Sequence, residues 1–263
     1  MDALIGFSGF VGSTLMKQTT FEALYRSTNI SEIKAKKFNT VVCAGAPAQK
    51  WMANREPEAD RQKIEDLISH LKTIECKNFI LISTVDVFHS PIGVDEDSAI
   101  NEDKLHAYGL HRRQLEKFVE MFFPKHLIIR LPGLVGPGLR KNIIFDFLNK
   151  NNLCAIESRS VFQFYPMVNL WYDVQAALKA GLALVHLTAA PISVETVSLQ
   201  GFGRPFTQEL PGIPGQYDLR SRYAAVFGAE GPYQYSSRET IQAIRAYAQS
   251  EPITLKQING AIA

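Results

Sequence analysis

Short apolar, β-branched runs alternate along the chain with longer stretches of helical period. "ALIG" (residues 3–6) is a brief strand, "SGFVGSTLMKQ" a loop running into a helix, and "FEALYR" a second strand. "NTVVCAGA" is a strand that ends in small residues. In "EADRQKIEDLISHLKTI" the apolar positions Ile64, Leu67, Ile68 and Leu71 recur at helical spacing. "NFILIST" reads as a strand, "YGLHRRQLEKFVEMFF" as a helix and "HLIIRLPG" as another strand. Strand and helix in alternation predict a parallel sheet with helices on both faces, and wholly apolar strands fit a sheet covered on both sides.

After about residue 135 the pattern loosens. "GPGLRKNIIFDFLNKN" mixes a turn with a helix, and "VNLWYDVQAALKAGLALV" is a helix with Asn169 as a candidate N-cap. Pro191 to Gly231 is rich in Gly and Pro and reads as irregular structure over the carboxyl edge of the sheet. "SSRETIQAIRAYAQS" is a late helix whose Ser-x-x-Glu start predicts a capping box. No linker divides the 263 residues, so one domain spans 1–263.

Composition narrows the picture. Hydrophobic residues make up 46% and charged residues 21%, which suits a soluble globular chain with a sizeable core. A net charge of +2 offers no strong basic field, so nucleic acid is not an expected partner. The three cysteines, Cys43, Cys76 and Cys154, form no C-x-x-C pair and predict reduced, buried thiols in a cytoplasmic setting. The glycine loop begins at Gly6, which leaves no room for a cleavable leader, and no apolar run is long enough to span a bilayer. No internal repeat is visible, and the histidines flanking Tyr108, His106 and His111, do not have ligand spacing and read as helix-start polar residues rather than a metal site.

The strand–loop–helix start carries the first candidate chemistry. Gly6-x-x-Gly9-x-x-Gly12 after a strand lets backbone N–H groups approach a pyrophosphate at a helix N-terminus, and the last glycine allows close helix–sheet packing. The acid that commonly binds the ribose 2′-hydroxyl lies about twenty residues on. Arg26 stands there instead, followed by Ser27 and Thr28. A guanidinium suits a 2′-phosphate, which favours NADP over NAD; the other reading of Arg26 is an exposed arginine at a strand end.

These motifs together resemble the extended short-chain dehydrogenase/reductases, the NAD(P)-dependent epimerase/dehydratase family that acts mostly on nucleotide sugars. "IGFSGFVGS" is similar to its glycine signature, "VVCAGAPA" to its fourth strand, "FILISTVDVF" to the strand with its catalytic Ser or Thr, "YGLHRRQLE" to its Tyr-x-x-x-Lys helix, and "RLPGLVGPG" to its nicotinamide loop. The resemblance runs from residue 3 to about 138 and fades through "MVNLWYDVQAAL". It implies an α/β, Rossmann-type doubly wound sheet, with about 135–263 supplying a smaller, irregular substrate-binding portion. It implies a cofactor held by Gly6, Ser8, Gly9, Phe10, Val11, Gly12, Arg26, Ser27, Ala44, Gly45, Ala46, Tyr108, Arg112, Leu131, Pro132 and Gly133. It also implies a small-molecule substrate such as a nucleotide sugar, a homodimer through the helix of Tyr108, and neither membrane nor nucleic-acid partners.

In that family a tyrosine moves the proton during hydride transfer, a Ser or Thr hydroxyl holds the substrate oxygen, and a lysine binds the nicotinamide ribose. Here Tyr108 and Thr84 fill the first two places, and Arg112 stands where the lysine is expected. At about 100° per residue Arg112 lies about 40° from Tyr108 and Arg113 about 140° away, so Arg112 is expected inward and Arg113 toward solvent. An inward arginine needs an anionic or hydrogen-bonding partner: a cofactor ribose is one reading, and an arginine snorkelling from the helix edge to pair with Glu116 is the other. Arginine keeps the charge but cannot release a proton as lysine can. Asp86 stands where the family's dehydratase branch has the second of two acids, with Val85 at the first, which ranks elimination below redox or epimerisation; its bland reading is a polar strand end. "GLRKN" could bring Arg140, Lys141 and Asn142 to a substrate phosphate or sugar, or be a solvated basic turn. Two functions follow: an NAD(P)-dependent oxidoreductase or epimerase, or a dinucleotide-binding sensor without turnover.

Overall fold

A computed structural model of the chain describes residues 1–252. Six parallel strands form the central sheet: β1 (Asp2–Ile5), β2 (Ala23–Tyr25), β3 (Lys37–Cys43), β4 (Glu75–Thr84), β5 (His126–Leu131) and β6 (Leu184–His186). Their order is β6-β5-β4-β3-β1-β2. The helices are α1 (Phe10–Gln18), α2 (Lys50–Arg55), α3 (Pro57–Leu71), α4 (Ala107–Phe122), α5 (Ile143–Asn149), α6 (Leu170–Lys179) and α7 (Ser237–Ser250).

The period-2 alternation of each strand decides which layer it feeds. Ala3, Ile5, Val41, Cys43, Phe79 and Leu81 join Ile64, Leu67 and Leu71 of α3 and Leu115, Phe118 and Val119 of α4 in one core. Leu4, Val42, Ile80, Leu127 and Ile129 join Leu15 of α1 and Leu170, Val174 and Ala177 of α6 in the other. Both faces are therefore apolar and covered, as the unbroken apolar runs predict.

The sheet ends at β2 among the described residues. The common dinucleotide order 3-2-1-4-5-6 has one more strand on that edge. Here only a short 3-10 turn, Ile30–Ile33, separates β2 from β3, and β3 crosses over to pair with β1. Strand order still reverses beside β1, and there the carboxyl ends of β1 and β3 open the crevice in which such sheets bind ligands.

The C-terminal third has its own core, in which Ile144 and Phe147 of α5 meet Val194, Val197 and Ile241, Ile244 and Tyr247 of α7. The capping box at Ser236 and Glu239 is present. Four expectations change. The helix expected over 168–185 ends at Lys179, Gly181 turns the chain with φ of +68°, and Leu184–His186 pairs with β5 as the edge strand of the sheet. Of "FEALYR" only Ala23–Tyr25 is strand. Asn169 occupies the N-cap position of α6 without capping it; Gln18 of α1 accepts from the Trp171 N–H at 2.9 Å instead, which satisfies that helix start from a distant element. Cys43 is buried and Cys76 half-buried, but Cys154 is exposed, because it sits in a short turn outside the cores. No helix of the described residues is long and apolar enough to cross a membrane.

Candidate active site

The glycine loop leaves β1 in a conformation that side chains rarely adopt. Gly6 has φ of +87°, and a Cβ there would lie 2.3 Å from the Ala44 carbonyl oxygen. A Cβ on Gly12 would lie 2.1 Å from the Gly6 carbonyl oxygen, so α1 packs against the loop only because residue 12 has no side chain. Gly9 is the N-cap of α1 and offers no side-chain cap, which leaves the first-turn N–H groups of Phe10, Val11 and Gly12 pointing out of the helix start. Backbone donors, a helix dipole and a surface free of side chains are what a diphosphate needs, so the cradle fits a dinucleotide. Ser8 and Gly9 are exposed at this loop, and Ala44, Gly45 and Ala46 follow β3 beside it.

Arg26 follows the end of β2. Its guanidinium carbon lies 5.7 Å from the centre of the Phe7 ring, and its Nε donates to Thr28 at 3.0 Å. Arg26 is thus drawn over the glycine loop, with Ser27 exposed beside it.

The second half of the site gathers at the end of β4. Thr84 ends that strand, and its hydroxyl accepts from the Asp86 N–H at 3.2 Å, which caps the turn Val85–Val87. Gly109 lets α4 approach this turn, since a Cβ there would lie 2.0 Å from the Asp86 carbonyl oxygen. His106 caps α4 by accepting from Gly109 N–H, and Asn54 of α2 accepts from Tyr108 N–H at 3.0 Å. These contacts seat Tyr108 at the end of β4, with its phenol near enough for the Thr84 hydroxyl to ease its ionisation. Burial raises the phenol above its ordinary range and Asp86 adds to that, while the Arg112 charge, the Thr84 hydrogen bond and Lys50 pull it back without cancelling the rise.

Arg112 points inward as the helical angle predicts, and only 3% of it is exposed. Its partner, however, is neither a free acceptor nor Glu116. Its fork grips Asp60 of α3, with Nη2 at 2.9 Å from Oδ1 and Nη1 on Oδ2, and Nη2 also donates to the Pro47 carbonyl. The guanidinium carbon stacks 4.0 Å from the centre of the Tyr108 ring. Nε alone finds no partner among the described residues. The arginine therefore braces α3, α4 and the loop after β3, with its terminal nitrogens hydrogen-bonded within the protein.

Other expectations are revised. Arg113 does not reach open water: it pairs with Glu116 and Glu120, each at 2.9 Å. His111 is buried, with Nδ1 at 2.7 Å from Asp60. Asn142 has φ of +86° and is spent as the cap of α5, accepting from Ile144 N–H at 2.9 Å and donating to Leu134 at 2.9 Å. Lys141 donates to the Ala48 carbonyl, which ties the loop after β5 to the loop after β3 across the end of β4. Leu131 ends β5, and Pro132 and Gly133 follow it at the same edge.

Asp86 is no idle strand-end residue. Lys50 of α2 donates to it at 2.7 Å, and the Tyr217 hydroxyl lies 3.5 Å from both Asp86 and Lys50. Sequence reasoning missed Lys50, Tyr217 and Asp60. One signal was available for Asp60: it shares the apolar stripe of Ile64, Leu67 and Leu71, where a charge must be paired.

No family model and no curated protein matches the sequence. Solved structures do match the fold. WbmG of Bordetella bronchiseptica, solved in complex with NAD, is 16% identical with a TM-score of 0.73 over 96% of this chain and 95% of that one. UDP-glucose 4-epimerase of Thermotoga maritima, solved with UDP-glucose, is 15% identical with a TM-score of 0.69 over 95% and 98%. dTDP-4-dehydrorhamnose reductase of Yersinia enterocolitica is 13% identical with a TM-score of 0.71 over 94% and 98%. The chain thus has the Rossmann-like α/β fold of these proteins, the fold that the motif resemblance implies.

Proposed function

We propose that the protein is an NAD(P)-dependent oxidoreductase or epimerase acting on a carbonyl or carbinol carbon of a small molecule, with a nucleotide sugar as the favoured class. One observation carries the reading: a buried phenol, Tyr108, sits near the Thr84 hydroxyl at the carboxyl end of β4, in a sheet whose first turn is a glycine cradle. The nucleotide sugars for which the structural neighbours are named support the substrate class.

The cradle at residues 6–12 would hold the diphosphate, and Arg26 with Ser27 would hold a 2′-phosphate, which favours NADP. The nicotinamide, when bound, supplies or accepts a hydride. The protein supplies the rest. Thr84 holds the substrate oxygen against Tyr108. The phenol, kept protonated by burial, donates its proton to that oxygen as a carbonyl is reduced and recovers it in the reverse direction. The residues from about 135 onward cover the substrate, and a homodimer through α4 belongs to the same reading.

A second reading, a dinucleotide-binding sensor without turnover, is favoured by the commitment of Arg112 to Asp60 and Pro47. Titration with NADPH and NADH followed by fluorescence, then turnover on carbonyl and nucleotide-sugar panels, separates the two. Under the first reading Tyr108→Phe keeps dinucleotide affinity and lowers kcat by about a hundredfold or more. Binding without turnover in the wild type gives the protein to the second reading.

A further inference from the structure

The place of the family's lysine is held by an arginine whose terminal nitrogens are spent on Asp60 and Pro47. The phenol of Tyr108 nevertheless lies beside a carboxylate, Asp86, whose charge opposes its ionisation. A cation that offsets Asp86 is present, but it comes from another helix. Lys50 Nζ is 2.7 Å from Asp86 Oδ1, and the other carboxylate oxygen is 3.4 Å from the Thr84 hydroxyl near the phenol. Asn54, one turn further along α2, holds the backbone of Tyr108 itself at 3.0 Å. Residues 50 and 54 share a helix face, so the bond that fixes Asn54 on α4 also aims Lys50 into the site. Tyr217 closes the group from the C-terminal third, 3.5 Å from both charges.

We propose that Lys50 is a positioning residue for the proton chemistry of Tyr108: by neutralising Asp86 beside the Thr84–Tyr108 pair, it adds from a separate helix to the charge-setting that Arg112 supplies from its own. The proposal rests on the reading in which Tyr108 carries the proton. The charged and titratable groups around the phenol are Lys50 from α2, Asp86 from the turn after β4, Arg112 on its own helix, His106 at the start of that helix and Tyr217 from the C-terminal third; Lys141 acts on Asp86 and Arg112 from the loop after β5. Of the cations, Lys50 is half-exposed and its substitution opens no core.

The test reads the phenol directly in the ligand-free protein. Difluorotyrosine placed at residue 108 brings the titration into a working pH range, and fluorine NMR follows that single signal. Lys50→Met is expected to raise the midpoint by about one pH unit, because Asp86 is left unopposed. Asp86→Asn is expected to lower it, and Lys50→Arg to hold it within about 0.3 unit of the wild type, since charge is what is required. A midpoint unmoved by Lys50→Met, or moved as far by Lys50→Arg, overturns the proposal. Turnover of Tyr108→Phe tests the parent reading separately. A phenol that obeys Lys50 in a protein whose turnover ignores Tyr108→Phe removes the acid/base role and leaves the coupling. An indifferent phenol with sensitive turnover removes Lys50 alone.

Discussion

The glycine cradle and the phenol corner both sit at the carboxyl ends of strands, yet they are made of different material. Residues 6–12 work through their backbone: a positive φ at Gly6, a close approach at Gly12 and the open end of α1. Residues 84–112 work through side chains whose partners arrive from elsewhere, Asp60 from α3, Lys50 from α2 and Tyr217 from the C-terminal third. A site made of backbone tolerates little change and is written in one local stretch. A site made of side chains can be rewired when a partner on another helix offers a new bond, as Arg112 and Asp60 show.

The sharpest break of this contrast is Gly12→Val. Its side chain would meet the Gly6 carbonyl at a distance no rotamer relieves, and the β1–α1 corner would have to open. We expect a loss of stability of about 4 kcal/mol or more, with dinucleotide binding abolished. Urea unfolding and fluorescence titration check both. A Gly12→Val protein that binds NADPH normally would show that the loop is an ordinary strand-to-helix turn.

Asp60→Asn breaks the other side. It leaves the Arg112 guanidinium buried without its counter-charge, at an expected cost of about 3 kcal/mol at neutral pH. Burial works to raise the Asp60 carboxyl, but its bonds to Arg112 and His111 outweigh that and hold it below the ordinary carboxylate range. A depressed folded value stabilises above the unfolded pKa of about 4 and loses that contribution as pH falls through the folded value. The gap between wild type and Asp60→Asn should therefore be wide at pH 7 and shrink as the solution is acidified below about pH 4. A gap independent of pH would mean that packing, not charge, makes Asp60 matter.

This difference in material also explains what could be read from the sequence. Five strands of the sheet, the glycine turn and the capping box at Ser236 were legible because each depends on neighbours within a few residues; the sixth, Leu184–His186, was not, because its short apolar run continues the period of the helix before it. The inward direction of Arg112 was legible too, since an angle on a helix is a local fact. Its partner was not, because Asp60 lies on a different helix and only the packing of α3 on α4 brings the two together. Asn169 fails for the same reason: it is displaced as a cap by Gln18, far away in sequence. Apart from α7, the C-terminal third stays opaque because the rest of its core is assembled from short, irregular pieces without a period to read.

Arg26→Ala is the mildest change and asks whether one side chain can tune a site made of backbone. The guanidinium is exposed, lies over Phe7 and braces only against Thr28, so its removal should leave stability nearly unchanged. Its worth should appear only with a ligand that carries an anion at the ribose, because an exposed arginine gains from a phosphate and little from a hydroxyl. NADPH affinity should then fall about tenfold, about 1.4 kcal/mol, while NADH affinity holds. Equal weakening of both would return Arg26 to a surface residue at a strand end and leave the cradle without a preference.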